Sequence, residues 1–302
     1  MKIKKIDFSI RDGLREFYRN SFVGLGEAVS RYIRNANVQY SWIMPDKWPV
    51  FKKSDTLFVF GSGPSINDIT KDQWDIIKAN DSFGLNFAFL TYYPMTYYYI
   101  GYYPTFKEDL KREPGHNVHN ILAAFDEKVR ALFKDCLWFI PPKALFRLAH
   151  PRFFPELFPL NVKLALFSPP ASICLEKDRP FNVEDFQNSL LYRGVMGNGL
   201  HLADLLKYKK IVLLGVDLQT HRHFYDDHVI MKEISERYNK KIKEKTGGVF
   251  ESMFPVGNKY RTIEEYYYSI SELYFRPKGV SLYVGNQNNI LSPRIPLYPE
   301  FI

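Results

Sequence analysis

Gly61-Ser62-Gly63-Pro64-Ser65 directly follows the apolar run Leu57-Phe58-Val59-Phe60. Glycines at the end of a strand let backbone N–H groups approach an anion, and a helix starting there favours negative charge. The turn carries two glycines of the dinucleotide fingerprint, with Ile66 in place of the third. The acid that would hold a nicotinamide ribose, about 20 residues further on, is absent. Asn86 ends the next apolar run instead, and its amide can hydrogen-bond a base or a ribose. No Walker A lysine follows the glycines. The turn therefore points to a nucleotide, and away from NAD and from a P-loop kinase. Its plainer reading is a tight structural turn between strand and helix.

Two more constellations carry chemistry. Gly215-Val216-Asp217 closes the apolar run that starts at Ile211, and an Asp at such a strand end can accept from ribose hydroxyls or an amino group, or cap a local turn. Just beyond it, the segment 221–228 holds three of the seven histidines, His221, His223 and His228, with Tyr225, Asp226 and Asp227. Acid/base work and phosphate contact suit these types. A metal set of His221 and His223 with Asp227 or His228 is a second reading, and a solvated loop a third. His223 is the preferred base, because in an extended segment Tyr225 shares its face and can hold a leaving phosphate. His228 ranks second and His221 third. No D-x-D pattern stands beside Gly215-Val216-Asp217, so metal-independent chemistry is expected. Asn258, Lys259, Tyr260 and Arg261 form a basic, polar group that also reads as a helix-entry loop. His116, His119, His150 and His201 read as ordinary isolated histidines.

The elements that must position these groups follow from periodicity. Leu57–Phe60, Ser82–Leu85, Tyr97–Ile100, Leu137–Ile140, Ile211–Leu214 and Val280–Val284 read as buried strands. Lys71–Lys78, residues 105–135, Gly194–Leu206, residues 229–246 and Thr262–Phe275 read as helices. Strand, glycine turn, helix, strand is the first half of a doubly wound, mostly parallel α/β sheet. Residues 1–50 are expected to form an N-terminal helical segment, with Leu14, Phe17, Phe22, Leu25, Val29 and Ile33 at helical spacing and arginines on the polar side. The remainder, residues 51–302, is expected to be the α/β domain. Its Pro- and Phe-rich stretch 143–190 reads as an irregular, lid-like region, and its tail as irregular.

Composition bounds the function. A chain of 302 residues with 46% hydrophobic and 25% charged residues is globular, not disordered. Phe 25, Tyr 21 and Trp 4 make it 17% aromatic, and tyrosine suits half-wet clefts that take sugars or bases. A net charge of +8 suits an anionic partner, but it is dispersed, without a basic stripe, so nucleic acid is not expected. Cys136 and Cys174 match no metal spacing and no disulfide framework, which predicts a reducing compartment. With no signal-peptide pattern and no apolar run near the ~18 residues of a membrane span, a cytoplasmic protein is expected. The arginine-lined N-terminal segment allows peripheral contact with the inner membrane face.

Phe60-Gly61-Ser62-Gly63-Pro64-Ser65, Asn86, and the block from Gly194-Val195 through Tyr208-Lys209-Lys210 to Gly215-Val216-Asp217 resemble the bacterial CMP-sialic-acid-dependent sialyltransferases of glycosyltransferase family 42. Related motility-accessory-factor-like transferases share the pattern. The resemblance spans roughly residues 55–290 and is dense in two short blocks. It implies a single Rossmann-like, GT-A-like domain with a smaller lid, an inverting mechanism, no metal or other cofactor, a CMP-sugar donor and a glycan or glycolipid acceptor. By position it gives the nucleotide to Gly61, Ser62, Gly63, Pro64, Ser65 and Asn86, with Gly215 and Asp217 alongside. Arg193-Gly194 stands where the family has Ser-Gly, and Arg193 offers a phosphate contact. Of the family's phosphate-holding tyrosines Tyr225 is the match, since Gln219 occupies the first position. Gly257 or Asn258 stands where the family keeps its histidine, so either a histidine of 221–228 supplies the base or the protein is not a sialyltransferase. The rival readings are a Rossmann-like pyrophosphokinase, a methyltransferase, and a scaffold that binds a nucleotide or a membrane without turnover.

Overall fold

The computed structural model describes residues 40–99, 127–140, 162–167, 196–217, 222–228, 232 and 262–302. Among them, eight strands form one sheet: β1 (Tyr40–Trp42), β2 (Thr56–Phe60), β3 (Asp81–Leu85), β4 (Tyr97–Tyr99), β5 (Leu137–Ile140), β6 (Val162–Leu166), β7 (Lys210–Leu214) and β8 (Ser281–Val284). Their order is β1-β6-β5-β4-β3-β2-β7-β8, and every neighbouring pair is parallel. The expected mostly parallel sheet is thus wholly parallel among the described residues.

Among the described residues the α-helices are α1 (Lys71–Lys78), α2 (Glu127–Leu132), α3 (Met196–Leu205) and α4 (Ile263–Ile270). α1 and α4 each begin with a capping box, Thr70 with Gln73 and Thr262 with Glu265, which satisfies two otherwise orphaned donors at each end. α4 runs on into a π-helical turn, Ser271–Phe275.

Alternation along the strands divides the core in two. Leu57, Val59, Tyr97, Tyr99, Ile211 and Leu213 face α3 and α4. Phe58, Phe60, Tyr98, Val212 and Leu214 face α1 and α2. Helices therefore cover both faces, as a buried parallel sheet requires. This is the doubly wound α/β class expected.

Two strands were not expected. β1 lies before residue 50, and Trp48 packs edge-on against Phe139 at 4.9 Å, so the α/β layer begins earlier than residue 51. β6 lies inside the stretch 143–190 expected to be irregular. Its sequence, Val-Lys-Leu-Ala-Leu, is short and broken by a charge, and pairing with β5 and β1 makes it a strand. Lys163 is accommodated by lying 5.5 Å above the Phe51 ring and 3.5 Å from Asp135. The tail after β8 is built of turns.

At the N-terminal edge of the sheet, Asp81 is fully buried. Its carboxylate accepts from Lys53 N–H (2.8 Å), Ser54 N–H (3.0 Å), the Tyr208 hydroxyl (2.8 Å) and the Thr96 hydroxyl (3.3 Å). Burial and this carboxylate push the Tyr208 hydroxyl far above its ordinary pKa. No described helix is long and apolar enough to cross a membrane.

The N-terminal helical pattern, most of the 105–135 segment, the 229–246 segment, His116, His119, His150, Cys174, Arg193, Gly194, Gln219, His221, Gly257, Asn258, Lys259, Tyr260 and Arg261 lie outside the described residues.

Candidate functional site

After β2 the chain runs through β3, β4, β5 and β6 on one side, then returns to pair β7 with the other side of β2. The C-terminal ends of β2 and β7 thus flank a topological switch point, where open parallel sheets hold ligands. Phe60 is in register with Leu214, which sets the glycine turn beside Gly215. Gly61 N–H donates to Leu214 O at 2.7 Å and Gly63 N–H to Gly215 O at 2.8 Å.

The approach is too close for side chains. A Cβ on Gly61 would meet Gly215 O at 2.3 Å, and one on Gly63 would meet Asp217 Oδ2 at 2.3 Å. Gly215 itself has φ +60, which favours glycine for a second reason.

Both Asp217 oxygens engage Ser65: Oδ2 accepts from its N–H at 2.7 Å and Oδ1 from its hydroxyl at 2.8 Å. Pro64–Asp68 forms a 3-10 turn, so the carboxylate takes up an N–H that a backbone partner would not reach. Asn289, buried in the turns after β8, donates to Val216 O at 3.0 Å and braces the segment from behind.

The segment 222–228 lies against this turn. Phe224 N–H donates to Ser62 O at 3.0 Å, and Asn67 Nδ2 donates to Phe224 O at 3.0 Å. The segment is not extended, as the shared-face argument assumed. It folds back at Phe224–Asp227, because Asp226 accepts from His223 N–H at 2.9 Å and returns its own N–H to His223 O at 3.1 Å. His223 and Tyr225 still meet, stacked with centroids 4.9 Å apart, and Phe87 lies 5.0 Å beyond Tyr225. Tyr225 is 8% exposed. Arg222 pairs with Asp227 at 2.9 Å on the surface. Among the described residues no three His, Cys, Asp or Glu side chains gather in a metal-ligating group.

Asn86 follows β3, the strand adjacent to β2, and takes a left-handed backbone (φ 48) that asparagine tolerates. The Tyr98 hydroxyl donates to its carbonyl and accepts from Phe89 N–H at 3.2 Å, which holds the turn after β3. At the end of that turn Tyr92 is also left-handed (φ 53), and its hydroxyl lies 3.4 Å from His228 Nε2.

The structure thus brings Gly61–Ser65, Gly215, Asp217, His223, Tyr225 and Phe87 to one edge, with Asn86 on the next strand end and His228 further along. Sequence reasoning missed Asn67, Asn289, Tyr98 and Tyr92. The run Asn286-Gln287-Asn288-Asn289 was the visible signal for the second of these.

No family model and no curated protein matches the sequence. Among solved structures, the chain is similar to the monofunctional α-2,3-sialyltransferase Cst-I from Campylobacter jejuni, at 16% identity over 82% of each chain, TM-score 0.42. It is also similar to the sialyltransferase CstII from Campylobacter jejuni in complex with cytidine-5'-monophosphate, at 13% identity over 82% of this chain and 86% of that one, TM-score 0.41. A third similarity is to Cst-II in complex with a trisaccharide acceptor and CMP, at 13% identity over 82% of this chain and 87% of the other, TM-score 0.40.

Proposed function

We propose that the protein is an inverting glycosyltransferase that moves a sialic-acid-like sugar from a CMP-activated donor to a glycan hydroxyl. One observation carries the reading. The two blocks that resemble family 42, about 150 residues apart in sequence, are hydrogen-bonded to each other at the switch point, Gly61 to Leu214, Gly63 to Gly215 and Ser65 to Asp217. The nucleotide lies across the Gly61–Ser65 turn with Asn86 at its side. The acceptor oxygen bonds to the anomeric carbon as the bond to the phosphate oxygen breaks. His223 takes the acceptor proton, and the Tyr225 hydroxyl donates to the leaving phosphate as its charge grows. CMP builds up less charge than a diphosphate leaving group, so the reaction proceeds without a metal or other cofactor.

The test is a thermal-shift series with CMP, CDP, UDP, S-adenosylmethionine and NAD. CMP should stabilise most, by about 2.7 kcal/mol at a hundred times its dissociation constant. Stabilisation by S-adenosylmethionine without CMP would turn the reading to a methyltransferase. Transfer activity should survive EDTA; loss on chelation with recovery on Mg²⁺ or Mn²⁺ would overturn the metal-independent step.

A further inference from the structure

On the sheet face opposite the His223–Tyr225 stack, α3 carries two side chains, each with a buried polar atom that no hydrogen bond satisfies. Asn198, the third residue of α3, is 1% exposed. Burial raises the pKa of the hydroxyl of Tyr99, the last residue of β4, and the Asn198 side chain pulls it back down, while Asn198 Oδ1 has no hydrogen-bond partner. His201 stands three residues on, which places it beside Asn198 on the helix surface. Its ring lies 5.5 Å from Phe167, just past β6, and its Nδ1 is buried without a partner. Burial lowers the His201 pKa to about 4, although Asp204 pulls the other way, so the ring is neutral near neutral pH.

A carbonyl oxygen only accepts, whereas a neutral imidazole nitrogen either donates or accepts according to its tautomer. One oxygen bearing a proton satisfies both: it donates to Asn198 Oδ1 and accepts from His201 Nδ1–H or, as a water with a second proton, donates to an unprotonated Nδ1. A carboxylate or phosphate oxygen does not, because it has no proton for Asn198. Native proteins rarely leave two buried polar atoms unpaired three residues apart on one helix, and a bound oxygen is the usual remedy.

We propose that Asn198 and His201 together form a binding site for one hydroxyl-type oxygen, supplied by a resident water or by an alcohol group of a bound sugar. The site selects against anionic oxygens and holds His201 in a single neutral tautomer, which is Nδ1–H when the oxygen is an alcohol's.

The test has two parts. In a double-mutant cycle with Asn198→Leu and His201→Phe, followed by urea unfolding, a shared oxygen makes the losses non-additive, so that the double variant is little worse than the poorer single one. Additive losses overturn the proposal. The second part needs no variant, should those fail to fold. Imidazole ¹⁵N spectra of the full chain should show His201 in a single tautomer, alone and with CMP or CMP-N-acetylneuraminate. A water cross-peak that persists in all three samples assigns the oxygen to water. A His201 shift seen with the sugar nucleotide but not with CMP assigns it to the sugar. A mixed tautomer with neither signal overturns the site, whatever CMP itself does.

Discussion

Asp217 spends both oxygens on Ser65, so its first effect is on the shape of the glycine turn. Asp217→Ala leaves two donors without a protein acceptor and should cost about 1–3 kcal/mol in urea unfolding; Ser65→Ala loses one bond and should cost less. CMP affinity should fall with the turn's rigidity, and wild-type affinity in Asp217→Ala would remove the positioning role. Gly63→Ala tests the same contact from the other side. Its backbone is ordinary, but the new Cβ meets the Asp217 carboxylate, so about 1–3 kcal/mol of overpacking and weaker CMP binding are expected. For the chemistry, His223→Ala should lower kcat about 10²-fold or more with CMP affinity nearly unchanged, and His228→Ala should do less. Equal turnover in both variants would move the base outside 222–228. The glycines, Asn86 and the histidine cluster were legible because type and spacing announce them. The Asp217–Ser65 contact was not, since nothing local in either segment points to a residue so distant in sequence.

At the scale of elements, α3 carries a pH dependence of its own. His201 titrates at about 4 in the fold against an ordinary 6.5, chiefly through burial. Above 6.5 folded and unfolded chains both hold it neutral, and stability is full. As pH falls from 6.5 towards about 4, only the unfolded chain takes up the proton, and stability drops by up to about 1.4 kcal/mol per unit. Denaturant midpoints of the wild type should therefore fall between about pH 7 and about pH 5 more than those of His201→Gln. Equal falls would show that the ring is not held neutral by the fold. Strands β2, β5 and β7 and helix α1 were legible as continuous apolar runs or a capped amphipathic pattern. Strands β1 and β6 were not. A three-residue run and a run broken by Lys163 acquire strand character from their neighbours, and pairing is absent from local sequence.

For the whole molecule, the two ends of the sheet do different work. Asp81 ties the entries of β2 and β3 to β4 and to the turn before β7, far from the strand ends that carry the glycine turn. Asp81→Ala strips four donors of their acceptor and should cost about 1–3 kcal/mol for each that stays buried and unpaired. CMP affinity measured below the unfolding transition should hardly change; a large loss would show that the two edges are coupled. The sequence by itself determined the α/β class, the parallel central strands and the residue types offered at their ends, because burial on both faces writes continuous apolar runs and glycine turns into local sequence. The tertiary structure alone decided the rest. It placed Ser65 under Asp217 and folded 222–228 back onto Ser62. It set His201 against Phe167, past β6, as well, because strand order and close approach arise from pairing between segments that no local pattern connects.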